Sequence, residues 1–258
     1  MIETAAEPGA RERVEIGPFL VDDYSRDDVV QRGVDLALGA NGRPALMYAL
    51  HVGGLNARRD EAFVEEMNDA DLVYADGGSV VLLGRLAGAV RMERAPTTDI
   101  GWDVLRRFTE QEGRPPRIAL VGGRPGLAEQ AAGALEAEGV GETVFTHHGY
   151  APDWNAVVRD LSASRPDVCI VGLGAPSEML WARAWAAQLP PSLVMTCGGW
   201  FGFLAGSEKR APRVLRLPGL EWISRVAQSP RRLSKRYARG VLSTCVIAGR
   251  TAVTRLAS

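Results

Sequence analysis

Val168-Cys-Ile-Val-Gly-Leu-Gly-Ala-Pro176 decides the fold. Its first four residues are apolar and mostly β-branched, a run too short for a helix and suited to a strand buried on both faces. Gly172 and Gly174 then let the chain turn sharply, and the stretch after Pro176 reads as a helix. The same cadence recurs on both sides. Leu72-Val-Tyr-Ala75 runs into Asp76-Gly-Gly78, Arg117-Ile-Ala-Leu-Val121 into Gly122-Gly123, and Leu193-Val-Met-Thr196 into Gly198-Gly199. Ala45-Leu-Met-Tyr-Ala-Leu50 opens the series. Before it, Ser25-Arg-Asp-Asp28 has the form of a capping box, and Val29, Val30, Val34 and Leu38 recur at helical spacing until Gly39. Short apolar strands alternating with helices predict an α/β, Rossmann-like fold around a mostly parallel sheet. Ligands of such sheets sit at the carboxyl ends of the strands. The residues just after each run are therefore the site candidates: Asn56, Asp76, Gly77, Gly78, Gly122, Gly123, Gly174, Pro176 and Gly199.

A chain of 258 residues, 46% hydrophobic and 24% charged, suits one large domain with or without an appendage. Its three cysteines are far apart, form no CxxC pair and follow no secretory signal, which points to a reducing cytoplasm. No run of 18 apolar residues predicts a transmembrane helix. The net charge of −1 conceals an asymmetry: Lys209 to Ser258 holds twelve Lys or Arg against the single acid Glu221. That segment carries +11 and the remainder −12. The boundaries expected are a frayed stretch over 1–13, an α/β body over 14–212 and a basic appendage of short amphipathic helices over 213–258. Such a tail suits an anionic partner: a nucleoside diphosphate, a phospholipid surface, nucleic acid or the protein's own acidic body.

Read alone, the local motifs leave alternatives open. Asp76, at a strand tip before two glycines, is either a general base or the cap of a helix starting near Ser79. Val121-Gly-Gly-Arg-Pro-Gly126 resembles a phosphate loop, but it lacks both GxGxxG and the P-loop Lys-Ser/Thr, so a tight βα turn fits as well. His147 and His148 are adjacent on an extended segment and should point to opposite faces. Without ligand spacing they predict no metal site. Arg231, Arg232 and Arg236 share a segment with Trp222 and Tyr237, suited to a membrane interface, to closing over a diphosphate, or to plain solvation.

Taken in order, a larger set of pieces resembles the WecG/TagA/CpsF glycosyltransferases, family twenty-six of the sequence classification. The set comprises Ile16-Gly-Pro-Phe19, Leu55-Asn56, Ala70-Asp-Leu-Val with Asp76-Gly77, Glu93-Arg94 followed by Asp99, and Leu120-Val-Gly-Gly123 with Pro125-Gly126. It continues with Gly149-Tyr150, Val171-Gly-Leu-Gly-Ala-Pro176 with Trp181, Gly198-Gly199, Ala205-Gly206, Lys209-Arg-Ala-Pro212, Gly219-Leu-Glu-Trp222 with Arg225, and Pro230-Arg-Arg232 with Lys235-Arg236-Tyr237. The resemblance implies transfer of a sugar, with inversion and without metal or other cofactor, from a UDP-sugar to a hydroxyl acceptor such as a polyprenyl-diphosphate-linked sugar. It implies that Asp76 is the base, that Arg94 holds phosphate, and that Asn56 lies at the same mouth; Tyr150 and Glu178 are further candidates for substrate binding. Arg225, Arg232 and Arg236 would close over the leaving diphosphate at the inner face of the membrane, and the chain would self-associate.

Three departures stand out. Gly54 replaces a common Thr, Pro176-Ser-Glu-Met179 replaces a Pro-Lys-Gln-Glu run, and Gly202 replaces an Asp between two aromatic residues. Changed pocket groups predict a different donor or acceptor, in a small natural product or a cell-envelope glycoconjugate. Two other readings remain: a catalytically silent nucleotide-sugar binder, and a nucleic-acid binder suggested by the tail charge alone.

Overall fold

The computed structural model describes residues 12–208 and 230–257, with the side chains of the last helix described from Tyr237 to Val253. The segment before Glu12 and the segment 209–229, which contains Trp222 and Arg225, lie outside the described residues.

A short antiparallel hairpin, β1 (Arg13–Ile16) and β2 (Phe19–Asp22), precedes the main sheet and turns on Gly17 at φ 62°. Helix α1 (Arg26–Gly39) starts at the expected capping box, with Ser25 and Asp28 satisfying each other's backbone amides. Then follow β3 (Ala45–Leu50), α2 (Val52–Asn56), α3 (Glu61–Asp69), β4 (Leu72–Ala75), α4 (Gly78–Ala87) and α5 (Thr97–Glu112). The second half runs β5 (Arg117–Gly122), α6 (Leu127–Ala137), β6 (Glu142–His147), α7 (Trp154–Ser164), β7 (Val168–Gly172), α8 (Ser177–Trp185), β8 (Leu193–Thr196) and α9 (Trp200–Leu204). The six strands β3 to β8 form one sheet in the order β4-β3-β8-β7-β5-β6, and every pairing is parallel.

Side-chain alternation along these strands divides the core in two. Met47, Leu72, Tyr74, Ile118, Leu120, Ile170 and Met195 face one layer with α1, α5 and α6. Tyr48, Leu50, Val73, Ala119, Val121, Cys169, Val171 and Val194 face the other, with the hairpin, α3, α4, α7 and α8. Burial on both faces is why the strands read as unbroken apolar runs. Nearly all of these side chains are fully buried, each stabilising the fold by roughly 1.5–3 kcal/mol relative to exposure.

The chain's last described element, α10 (Pro230–Ala257), is one helix of 28 residues where short helices were expected. Gly240 and Gly249 lie inside it. Gly240 sits against Val52 of α2, where a side chain would have no room, so tertiary packing outweighs the ~1 kcal/mol helix penalty of glycine. Ile247, 3% exposed, packs against Gly17 of the hairpin turn and joins the second core layer. None of the helices among the described residues is long and apolar enough to cross a membrane.

Candidate active site

The tips of β3 and β4 form the first part of the site. The Asp76 amide bonds to the Leu50 carbonyl at 3.0 Å, so the two strands end level. The segment after α4 returns alongside: the Ala95 amide bonds to the Ala75 carbonyl at 2.8 Å, which brings Arg94, half-buried, beside the Asp76 turn. Asp76 does not cap the helix that follows it. The N-cap of α4 is Gly77, without a side-chain cap, and Gly78 faces open space. Instead the Asp76 Oδ1 accepts from the Thr97 amide at 3.0 Å, at the first residue of α5, whose own N-cap is Pro96. The Thr97 hydroxyl shares a 2.7 Å hydrogen bond with Tyr74, which is fully buried. Burial, and next the Asp76 charge, push the Tyr74 hydroxyl well above its usual range, so it stays protonated. Tyr74 and Thr97 thereby fix the carboxylate from below.

His51, which sequence reasoning passed over, occupies on β3 the place Asp76 has on β4. It caps α2: its Nδ1 accepts from the Gly53 and Gly54 amides at 2.9 and 3.4 Å, so the ring proton sits on Nε2. The strand-tip rule that selected Asp76 would have found it. Asn56 ends α2, and its Oδ1 accepts from Ser243 of α10 at 3.0 Å.

A second part lies at the tips of β5, β7 and β8. Gly122, at φ 143°, lets β5 approach the Gly172 carbonyl so closely that no Cβ fits. The Gly123 amide, expected to offer itself to an anion, donates to the Gly172 carbonyl at 3.1 Å, and the Gly123 carbonyl accepts from Gly149 at 2.8 Å. These glycines therefore serve close packing of strand tips before any ligand contact. Glu178 is turned inward in the same region. Its side chain is 1% exposed, and Oε2 accepts from the amides of Gly174 at 2.9 Å and Gly198 at 3.3 Å, tying the loop after β7 to the loop after β8. Pro176 is the N-cap of α8, and Gly199 that of α9.

Above these turns opens a pocket of about 360 Å³ lined by Gly123, Gly149, Tyr150, Trp154, Gly172, Leu173, Ser177 and Trp181. Its walls are aromatic: Trp154 and Trp181 meet edge to face at 5.5 Å, and Tyr150 is 72% exposed at the rim. The Trp181 Nε1 is buried without a hydrogen-bond partner. His147 and His148 do not diverge as expected. β6 ends at His147, His148 belongs to the turn beyond it, and the rings lie 4.5 Å apart. Trp154 and Ser177 carried no sequence signal of a site, since neither directly follows a strand.

Two of the three departures from the family pattern leave no polar gap. Met179 is fully buried in the core, and the place of a side chain at Gly202 is taken by Glu208, whose Cγ lies 2.9 Å from where that Cβ would be. Gly54 is packed against Leu50, whose Cδ1 lies 2.8 Å from where a Cβ would be. No group of three metal-ligand side chains occurs among the described residues. The sequence does contain one Asp-x-Asp triplet, Asp69-Ala-Asp71, which the reading of metal spacing overlooked. It lies at the opposite edge of the sheet, and the Asp71 carboxylate accepts from Arg43 at 2.6 and 2.9 Å and from the Leu46 amide at 2.8 Å. Burial raises the Cys169 thiol to about 12 and, with Glu178 adding to it, lifts Cys197 well above its usual range, so neither is a nucleophile. Arg232 and Arg236 fall on α10 before its described side chains.

A line of strand tips thus runs from Asp76 to an aromatic pocket at β7, three inter-strand steps or roughly 14 Å away. Residues 14–257 match the glycosyl transferase WecG/TagA/CpsF family. With nearly the whole chain covered, the protein belongs to that family and is a glycosyltransferase.

Proposed function

We propose that the protein transfers a hexose-type sugar from a nucleoside-diphosphate sugar, with uridine as the base, to a hydroxyl acceptor with inversion. The carrying observation is the Asp76 carboxylate, held through one oxygen by the Thr97 amide at the open end of β4. In the reaction the acceptor oxygen attacks the anomeric carbon, the bond from that carbon to the phosphate oxygen breaks, and Asp76 takes the acceptor's proton. Arg94, on the strip beside Asp76, offsets charge developing on the leaving diphosphate, together with the tail residues Arg225, Arg232 and Arg236. The aromatic pocket suits a planar base, and the run of tips between it and Asp76 suits the diphosphate and sugar of an extended donor.

An acceptor borne on a lipid fits the outer surface. α10 packs on α4, and exposed Leu82 and Leu86 of α4 and Val90 of the loop after it accompany exposed Val241, Leu242 and Val253 of α10, with Arg239 and Arg250 among them. Apolar side chains beside arginines suit an anionic membrane surface. Calorimetric titration with UDP and UDP-N-acetylmannosamine, and release of UDP with a polyprenyl-diphosphate-linked acceptor, test this function. Binding of both and inhibitor-free turnover in EDTA are expected. Absence of nucleotide binding, or activity lost in EDTA and regained with Mg²⁺, contradicts it.

A further inference from the structure

Residues 88–96 join α4 to α5 as neither helix nor strand, and two charged side chains supply the partners that a regular element would have given their backbone. Asp23, which follows β2 and is 4% exposed, accepts through Oδ2 from the Val90 amide at 2.8 Å and through Oδ1 from the Arg91 and Met92 amides at 3.0 and 2.6 Å. Arg85, exposed in the last turn of α4, donates to the Ala89 carbonyl at 3.3 Å, to the Met92 carbonyl at 2.9 Å and to the Val90 carbonyl. Such charge-assisted bonds are roughly twice as strong as neutral ones. The Glu93 amide adds a bond to the Tyr24 carbonyl at 3.1 Å, so the turn between β2 and α1 grips this strap by four successive amides.

The strap ends at Asp76. The Ala95 amide is bonded to the Ala75 carbonyl, Pro96 is the N-cap of α5, and the Thr97 amide donates to Asp76 Oδ1 at 3.0 Å. Of the residues between Met92 and Thr97, Ala95 is fully buried and restricted by the proline after it, and the φ of Pro96 is fixed by its ring. A link so short and stiff passes a displacement of the strap on to Thr97.

We infer that Asp23 and Arg85 are positioning residues for the transfer reaction: they hold the strap so that the Thr97 amide keeps Asp76 Oδ1 and the carboxylate meets the acceptor in one orientation. The inference rests on the reading of Asp76 as the base. A carboxylate released by that amide can turn about its bond to the β-carbon, and a misplacement of about 1 Å can cost a hundredfold in rate.

The test combines amide hydrogen exchange with kinetics, well below the melting temperature, on the full-length protein and on Asp23→Asn, Arg85→Gln, their pair and, as a control, Asp167→Asn. Asparagine can keep an acceptor for two of the three amides but leaves the third facing another donor. Asp23→Asn should speed exchange of the Thr97 amide by about tenfold. It should lower kcat for UDP release, from UDP-N-acetylmannosamine and a polyprenyl-diphosphate-linked acceptor, by about tenfold, while calorimetric affinity for the sugar nucleotide stays within about twofold. Arg85→Gln should move both readouts by about threefold, and adding it to Asp23→Asn should cost less than that, since both side chains act on one strap. Asp167→Asn should change neither. If Asp23→Asn fails to fold, Arg85→Gln decides by the same readouts. Unchanged exchange at Thr97 would show that α5 alone places the amide, and an equal loss of turnover in Asp167→Asn would make the effect one of stability; either overturns the inference while the base reading stands. If the unaltered protein releases no UDP, or Asp76→Asn turns over normally, the donor or the base reading fails and the inference falls with it.

Discussion

The two edges of the parallel sheet hold their carboxylates in different ways. At the edge where strands begin, Asp71, Asp167 and Asp22 each meet an arginine and a backbone amide. Asp71 is bound by Arg43 and Leu46, Asp167 by Arg114 and the Arg117 amide at 2.7 Å, and Asp22 by Arg13 and the Val73 amide at 2.7 Å. At the edge where strands end, carboxylates are bound by backbone amides: Asp76 by Thr97, Glu178 by Gly174 and Gly198. A guanidinium holds a carboxylate ionised and makes it a weak base. At Asp76 the Thr97 amide engages Oδ1 instead. The same residue type thus locks strands together at one edge and, in the proposed function, serves as the base at the other.

The largest expected effect breaks the site without breaking the fold. Asp76→Asn keeps the acceptor of the Thr97 amide and removes the base, so turnover should fall by about a thousandfold while sugar-nucleotide affinity stays within about threefold. UDP release measured beside calorimetry checks this. Near-normal turnover would make Asp76 a structural brace for α5 and erase the contrast between the edges.

The opposite outcome is expected for Asp167→Asn. The Asp167 carboxyl is partly buried, which works against its charge, but Arg114 and the Arg117 amide outweigh this and hold it below the usual value of 3.8. A depressed folded-state pKa adds stability above the unfolded value, and that stability is lost as pH falls through the folded one. The substitution should therefore cost about 1–3 kcal/mol at pH 7, a fall in Tm of several degrees, and progressively less below pH 3.8. Turnover at 25 °C should not change. Melting curves across pH 3–7 decide it; a Tm difference that persists undiminished in acid would assign the loss to packing.

How much of this the sequence carried depends on the range of the interaction. The strands were legible because burial on both faces writes an apolar run into neighbouring residues, and the start of α1 because Ser25 and Asp28 are three apart. The strand-tip glycines were legible as turns but not as partners: the Gly123 amide spends itself on Gly172, 49 positions along. The same holds for Asp76 and Thr97, 21 apart, and for Asn56 and Ser243. A hydrogen bond across the fold leaves no local period. The hairpin β1–β2 is too short to show alternation, and the length of α10 was not legible because Gly240 meets α2 only in three dimensions.

The smallest expected effect concerns Gly202 and sharpens the view of the strand-end edge. Sequence alone suggests a missing carboxylate there. In the folded chain, however, the Glu208 amide bonds back to the Gly202 carbonyl at 2.8 Å, and the Glu208 side chain fills the adjoining space, with Oε2 3.6 Å from where a Cβ on Gly199 would be. A side chain at 202 would meet the Glu208 Cγ and Cδ, at 2.9 and 3.1 Å from its Cβ, not just the flexible end of the side chain. Gly202→Asp would then bring two carboxylates into one place and crowd the turn, at a cost of about 1–2 kcal/mol. In a Glu208→Ala background the same substitution meets neither the charge nor the bulk, so the cost should shrink to within about 0.5 kcal/mol of zero. Thermal melts of the two single variants and the pair measure that coupling. Equal costs of Gly202→Asp in both backgrounds would show that Glu208 does not occupy the site of the missing carboxylate, and the strand-end edge would be one acidic group poorer than its geometry implies.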